Sequence, residues 1–388
     1  MNRVIDQAYN RMSSSGCKAS LFWRKLYTDA SVVGVLLRLS DSKLLEAAAR
    51  TSIEMLDRAI ILAGAPGDTS LGLILDMIRW IQSHTHWQDH ELERGEFSAG
   101  REVVPKLSTS LGNVPCISPP SLTAFQTTWS RSPFVLKGFV SDWPAVKHWI
   151  SIDYLSSMAG PGRIVPMEVG DDYRSDDWTQ ELLDWDVFLS ILTHSGRSQD
   201  PLLTFYLAQH NLLRQFPALR EDIAIPDYVY MSPGPSASYP NYRPPSNEDQ
   251  LVINAWFGPK GTISPAHTDP FFNCYAQVVG RKTVWLAPPE VTPLMYSYGP
   301  SLAGTDEIHH PAANSTEPLM SNTSRVDVFP VSKEVQEASR NKYPAFWNTV
   351  PEKALSVTLE PGDLLFFPPG WWHAMRSEDV SFSVSMWF

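Results

Sequence analysis

A mainly β fold, an antiparallel double-stranded β-helix or jelly-roll barrel behind an α-helical N-terminal region, is what the sequence predicts, and three observations predict it. From about residue 250 onward, short apolar runs rich in β-branched and aromatic residues alternate with Gly/Pro turns. The chain closes on Val380-Ser-Phe-Ser-Val-Ser-Met-Trp-Phe388, apolar at every second position, which is the period of a half-buried strand. Residues 20 to 90 instead carry helical periodicity with start and stop signals. Many short antiparallel strands around an internal site describe a jelly roll.

Taken in order, Ser40-Asp41 is expected to cap a helix that runs through Lys43-Leu-Leu-Glu-Ala-Ala-Ala-Arg50 to Leu62 and ends at Gly64-Ala-Pro66. Asp68-Thr-Ser70 opens another through Trp80-Ile81. His84, His86 and His90 follow at a spacing a metal could use, but no cysteine or paired acid lies nearby, so a polar helix end is the better reading. Residues 1–90 are thus read as a helical region, 91–113 as a polar linker and 114–388 as the barrel domain. Within the barrel, Leu251-Val-Ile-Asn-Ala-Trp256-Phe reads as a buried strand and Gly258-Pro-Lys-Gly261 as a turn. Asn273-Cys-Tyr-Ala-Gln-Val-Val279, Gly280-Arg281 and Lys282-Thr-Val-Trp-Leu286 are expected to form a hairpin. Residues 297–350, rich in Ser, Asn and Pro, read as an irregular insert: either disordered, or a lid or partner surface over the barrel mouth. Glu360-Pro-Gly-Asp363 and Pro368-Pro-Gly370 are turns around the strand Leu364-Leu-Phe-Phe367, and Trp371-Trp-His373-Ala-Met375 is a strand.

Composition bounds the function. A chain of 388 residues with 43% hydrophobic and 11% aromatic content can bury a large core and suggests two domains. Its formal net charge of −11 favours basic peptide partners and disfavours phosphate backbones, so no direct nucleic-acid binding is expected. Cys17, Cys116 and Cys274 are scattered and odd in number, which points to a reducing compartment without a disulfide framework. Cys274 is expected to be an inert core thiol. The sequence has no apolar run of membrane-spanning length and no signal-peptide pattern, so an intracellular location is expected, with nucleus and cytoplasm both open. Oligomeric state is not encoded in any pattern found.

The chemistry is concentrated in His267-Thr268-Asp269 and in His373. Two imidazoles and one carboxylate can occupy one face of an octahedral ferrous ion and leave the opposite face to a cosubstrate and dioxygen. A three-residue match is weak by itself, since a lone histidine is more often a satisfied core or surface residue.

The surrounding runs carry a resemblance. Val135-Leu-Lys-Gly138 with Asp142-Trp-Pro144, Val165-Pro-Met-Glu-Val-Gly170, Tyr206-Leu-Ala-Gln-His210, Ile225-Pro-Asp-Tyr228, Asn254-Ala-Trp-Phe-Gly258 and Ser381-Phe-Ser-Val-Ser385 occur in order. From about Val114 to its end the chain resembles the cupin-type JmjC oxygenases that use Fe(II), 2-oxoglutarate and O2, nearest the branch of arginyl hydroxylases and lysine demethylases. The N-terminal third resembles that branch only loosely. The resemblance implies that His267, Asp269 and His373 are the iron ligands and that Lys282 binds the distal carboxylate of 2-oxoglutarate. It further implies that Tyr206, Ser264 and Asn273 hydrogen-bond the same cosubstrate. A dicarboxylate does need a buried cation, although a strand lysine can also be edge protection and a buried Asn or Tyr merely a satisfied core group.

For the substrate, the resemblance places Glu168 and Trp256 where that branch grips an arginine side chain of a protein or peptide. A carboxylate pairs bidentately with a guanidinium and an indole face stacks on it; without the resemblance, Trp256 reads as a core aromatic and Glu168 as a solvated acid. The resemblance favours arginyl hydroxylation. Removal of an N-methyl group from lysine is the alternative, and a catalytically silent cupin-type binding module is the alternative of another class.

Overall fold

The computed structural model describes all residues except 15–16, 42–44, 89–94, 98–99, 101, 171–172, 175–176, 195–203, 237 and 299–319. Four long helices come first: α1 (Asn2–Ser14), α2 (Cys17–Asp41), α3 (Glu46–Ala63) and α4 (Ser70–His84). The strands that follow are β1 (Gly112–Asn113), β2 (Phe134–Leu136), β3 (Ile164–Val169), β4 (Thr179–Asp184), β5 (Phe205–His210), β6 (Val252–Gly258) and β7 (Ile263–Thr268). They continue with β8 (Asn273–Val279), β9 (Lys282–Ala287), β10 (Leu355–Leu359), β11 (Leu364–Phe367), β12 (Trp372–Ser377) and β13 (Ser381–Trp387). The chain divides into two compact units, one of Met1–Glu96, His148–Val169 and Thr179–Asp222, the other of Phe97–Lys147, Gly170–Trp178 and Ile223–Phe388.

In the first unit α2, α3 and α4 bury an aliphatic face that includes Val35, Ile53, Leu56, Ile60, Ile74, Ile78 and Ile81. Helix α3 stops where Gly64 takes φ 75°, a conformation glycine adopts at no steric cost, and the Gly64 and Ala65 amides donate back to Ile60 and Ala59. Ser40 and Asp41 lie in the last turn of α2 rather than capping α3, and Leu45 occupies the α3 cap position without a side-chain bond. The Ser40 hydroxyl finds an acceptor in its own helix, the Leu37 carbonyl, which is the back-bonding that competes with capping. Inside this unit Asp57 is fully buried and accepts two hydrogen bonds from Arg163, at 2.9 and 2.7 Å, one from the Ile164 amide and one from Gln215. That bidentate pair fastens α3 to β3, whose neighbours are β4 and β5.

The second unit is the barrel. One sheet runs β1-β10-β9-β12-β7, and β2, β11, β8, β13 and β6 lie side by side facing it. Between them Val135, Tyr275, Val284, Leu286, Leu365, Phe367 and Met375 form the interior cluster.

Three further features differ from the sequence reading. β8 and β9 do not form a hairpin: β8 pairs with β11 and β13, β9 with β10 and β12. Gly280, at φ 64°, turns the chain from one sheet to the other, and a Cβ there would sit 2.1 Å from the Val380 carbonyl oxygen. Alternating patterns look the same at a hairpin and at a jelly-roll corner, so the pattern alone does not separate them. The terminal strand β13 is buried on both faces, because Ser381, Ser383 and Ser385 turn inward and are fully covered. Residues read as an irregular insert contain two helices, Lys333–Lys342 and Pro344–Lys353. Phe346, Trp347 and Val350 of the second pack with Trp285 and Trp372, so part of that stretch is core. His90 lies outside the described residues.

Candidate metal centre

Strands β7 and β12 pair antiparallel and bring His267 directly opposite His373. Asp269 follows β7, its carbonyl accepting from the Gly370 amide at 2.9 Å. The Asp269 Oδ2 atom lies 3.9 Å from His267 Nε2 and 3.4 Å from His373 Nε2, and the three side chains offer ligand atoms all within 4.8 Å of one another.

Local register decides which side chains share this space. Between His373 and Met375 two residues of β12 answer to three of β7, because Met375 pairs with Ser264 while His373 pairs with His267. The extra residue is a bulge. Without it, positions 264 and 267 would point to opposite faces; with it, Ser264 and His267 both face the interior, while Ile263 and Ala266 pack into the cluster outside the sheet.

Each imidazole is oriented from behind. His267 Nδ1 lies 2.8 Å from the Pro265 carbonyl and His373 Nδ1 3.0 Å from that of Trp371, so each Nδ1–H donates to a carbonyl and each Nε2 is directed toward Asp269. Burial, with the neighbouring His373 ring, pushes His267 down to about 4, which leaves it neutral at pH 7. Burial alone would raise Asp269, but the adjoining His373 and His267 imidazoles outweigh it and hold the carboxyl below its usual range. Two imidazole nitrogens and one carboxylate thus converge within 4.8 Å of one another. A divalent cation satisfies such a set, and these residue types suit ferrous iron.

The interior walls fit an anionic guest beside that cation. Lys282 opens β9 on the same face as Val284 and Leu286, is 1% exposed, and donates to Tyr275 Oη at 3.1 Å. Burial pushes its ammonium down to about 7. Asn273 shares the Tyr275 face of β8, and its Oδ1 is buried without a hydrogen-bond partner. Asn254 Nδ2, on the inward face of β6, and Ser377 Oγ, directly across from Lys282, are buried and unsatisfied in the same way. Unmet polar atoms of this kind are what a bound polar ligand relieves. Trp256 also faces inward, half-buried, its Nε1 donating to Ser385 Oγ at 2.9 Å.

The structure therefore gathers His267, Asp269, His373, Ser264, Lys282, Asn273 and Trp256 in the barrel unit. Tyr206 and Glu168 belong to the other unit, directly opposite each other on β5 and β3, Tyr206 buried and Glu168 half-buried. Sequence reasoning missed Tyr275, which the strand period places in phase with Asn273. It also missed Asn322 and Thr323, which pair with β7 and carry no signal within a Ser/Asn-rich run. Cys274 is fully buried and its thiol pushed up by burial, in keeping with an inert core role.

A jelly-roll barrel with two histidines and one aspartate converging where they could hold a metal ion defines a cupin-type protein. Comparison with known proteins sharpens the class. A family model described as a cupin-like domain matches residues 123–388. Jumonji C domain-containing protein 5 of Drosophila melanogaster is 32% identical, with 99% of this chain and 85% of the relative covered. Lysine-specific demethylase 8 of Danio rerio is 34% identical over 99% of this chain and 86% of its own length. Lysine-specific demethylase JMJ30 of Arabidopsis thaliana is 35% identical over 66% of this chain and 50% of that protein. The chain belongs to the cupin-like JmjC family of 2-oxoglutarate-dependent dioxygenases. Among the described residues, no helix is long and apolar enough to cross a membrane.

Proposed function

We propose that the protein is an Fe(II)- and 2-oxoglutarate-dependent hydroxylase of arginyl residues in a protein substrate. Bound iron, with 2-oxoglutarate and O2, supplies oxidative decarboxylation: one oxygen atom ends in succinate with release of CO2, the other in the C–H bond of the substrate. His267, Asp269 and His373 hold the metal. Lys282 receives the distal carboxylate of the cosubstrate, and Ser264 and Asn273 hydrogen-bond it. The aromatic and aliphatic interior, with Phe367 4.7 Å from the His373 ring, keeps water from the reacting atoms.

The observation that carries the substrate class is Trp256. Its indole is fixed by the bond to Ser385 yet left half-covered on the interior face, a plane suited to stacking against a guanidinium. Two relatives named as lysine-specific demethylases favour lysine demethylation as the second reading. Peptides bearing arginine or methyl-lysine, incubated with protein, Fe(II) and 2-oxoglutarate and read by mass spectrometry, separate the two. Gain of one oxygen on arginine is expected; loss of a methyl group from lysine would reverse the assignment. The complete ligand set with its buried lysine argues against a silent binding module, for which no succinate would form.

A further inference from the structure

The residue between the two ligands of the His-x-Asp motif is held from outside the barrel strands. Thr268 donates its amide to the Asn322 carbonyl at 3.0 Å, and Asn322 Nδ2 donates back to the Thr268 carbonyl at 3.0 Å. One residue therefore satisfies both backbone groups of Thr268. The neighbouring bonds continue the pattern: Thr323 bridges His267, and the Ser324 amide donates to the Ala266 carbonyl at 2.8 Å. Residues 322–324 thus act as a short added strand on the free edge of β7, where unpaired backbone groups would otherwise face solvent. That added strand is itself tied down, since Ser324 Oγ donates to the Met295 carbonyl and Thr323 receives the Tyr298 amide on its own carbonyl at 3.1 Å.

We infer that Asn322 is a positioning residue of the metal centre, an inference that rests on the assignment of His267 and Asp269 as metal ligands. The Thr268 peptide sets the angle between those two side chains. Rotating it moves both, and β7 ends at Thr268, so the β7–β12 ladder does not continue past that residue to resist the rotation. Gly370 fixes the far side through the Asp269 carbonyl, and Asn322 fixes the near side through its carboxamide. Groups that orient metal ligands without touching the metal are commonly worth tenfold or more in metal affinity.

The test uses the full chain with Asn322→Ala and Asn322→Leu, the latter keeping side-chain bulk while removing the donor. Both retain the backbone carbonyl that pairs with the Thr268 amide. Metal-free protein is titrated with Co(II) and followed by its visible d–d absorbance, and its melting temperature is recorded without metal. A Co(II) dissociation constant about tenfold weaker in both variants, with changed band positions and an unchanged metal-free melting temperature, is the expected result. Wild-type affinity and spectrum in both variants would overturn the inference, and so would a weakening matched by an equal loss of metal-free stability, which would make Asn322 a fold element only. Failure of the wild-type chain to bind Co(II) would instead sink the metal assignment itself, a different outcome from loss in the variants alone.

Discussion

Replacing Lys282 with methionine should make the protein more stable and useless at once. The ammonium is fully buried, and its affinity for a proton falls from 10.5 to about 7. Between those two values the folded chain binds fewer protons than the unfolded chain, so stability rises with pH across the window, and the cost of burying the charge is borne in full below about pH 7. At about 1.4 kcal/mol per pH unit, that cost is on the order of 5 kcal/mol as an upper bound. Methionine fills similar space without charge, so Lys282→Met should melt higher than wild type at pH 6, with the difference shrinking toward pH 9. Cosubstrate binding has the opposite dependence. A dicarboxylate prefers the protonated lysine, so above pH 7 the wild-type dissociation constant for 2-oxoglutarate should weaken by about tenfold per pH unit, while in the methionine variant affinity should be lost at every pH. Differential scanning fluorimetry over pH 6 to 9 and calorimetric titration of 2-oxoglutarate with an inert divalent metal read both effects. A methionine variant that binds 2-oxoglutarate as tightly as wild type would refute the role of Lys282, and a melting difference independent of pH would refute the burial argument.

Other outcomes follow from named contacts. His267→Ala and Asp269→Ala each remove one of three converging donors and should abolish both Co(II) absorbance and substrate-stimulated succinate formation; turnover retained in either contradicts the ligand assignment. Deleting Val380–Phe388 removes β13, which is hydrogen-bonded to β6 on one side and β8 on the other, and should leave no cooperative thermal transition in the barrel. Arg163→Met leaves the fully buried Asp57 without its guanidinium and should destabilise by about 3–5 kcal/mol in urea titrations; a loss under about 1 kcal/mol would mean the carboxylate finds other partners.

Much of this molecule is legible in the chain because the weak His267-Thr268-Asp269 motif and His373 sit among ordered runs that resemble a known family, which also implies Lys282. The structure puts His267, His373 and Lys282 in one sheet, with Asp269 just past the end of β7. The stop of α3 at Gly64 was equally readable, since a left-handed turn has a sequence signature. What escaped was register. No propensity distinguishes the extra residue in β7 from its neighbours, and the corner at Gly280 looks like a hairpin until strand partners are known. The alternation of Val380–Phe388 predicts a half-buried strand, because period 2 does not reveal that both faces are covered. The inward hydroxyls of β13 have partners instead of solvent: Ser383 donates to Gln277, and Ser385 accepts from Trp256. The helix Pro344–Lys353 was hidden by an internal proline, yet its Phe346 and Trp347 are core residues.

The bulge in β7 also sets where this gene can change length. Strand parity makes each position between Ser264 and His267 an address, odd or even, and the bulge offsets that count by one. Inserting or deleting a single residue there would turn either the serine or the histidine through the sheet to its other side, however conservative the change looked in an alignment. The turn before it, Gly258–Gly261, sits outside that count and can vary in length while both side chains keep their side of the sheet.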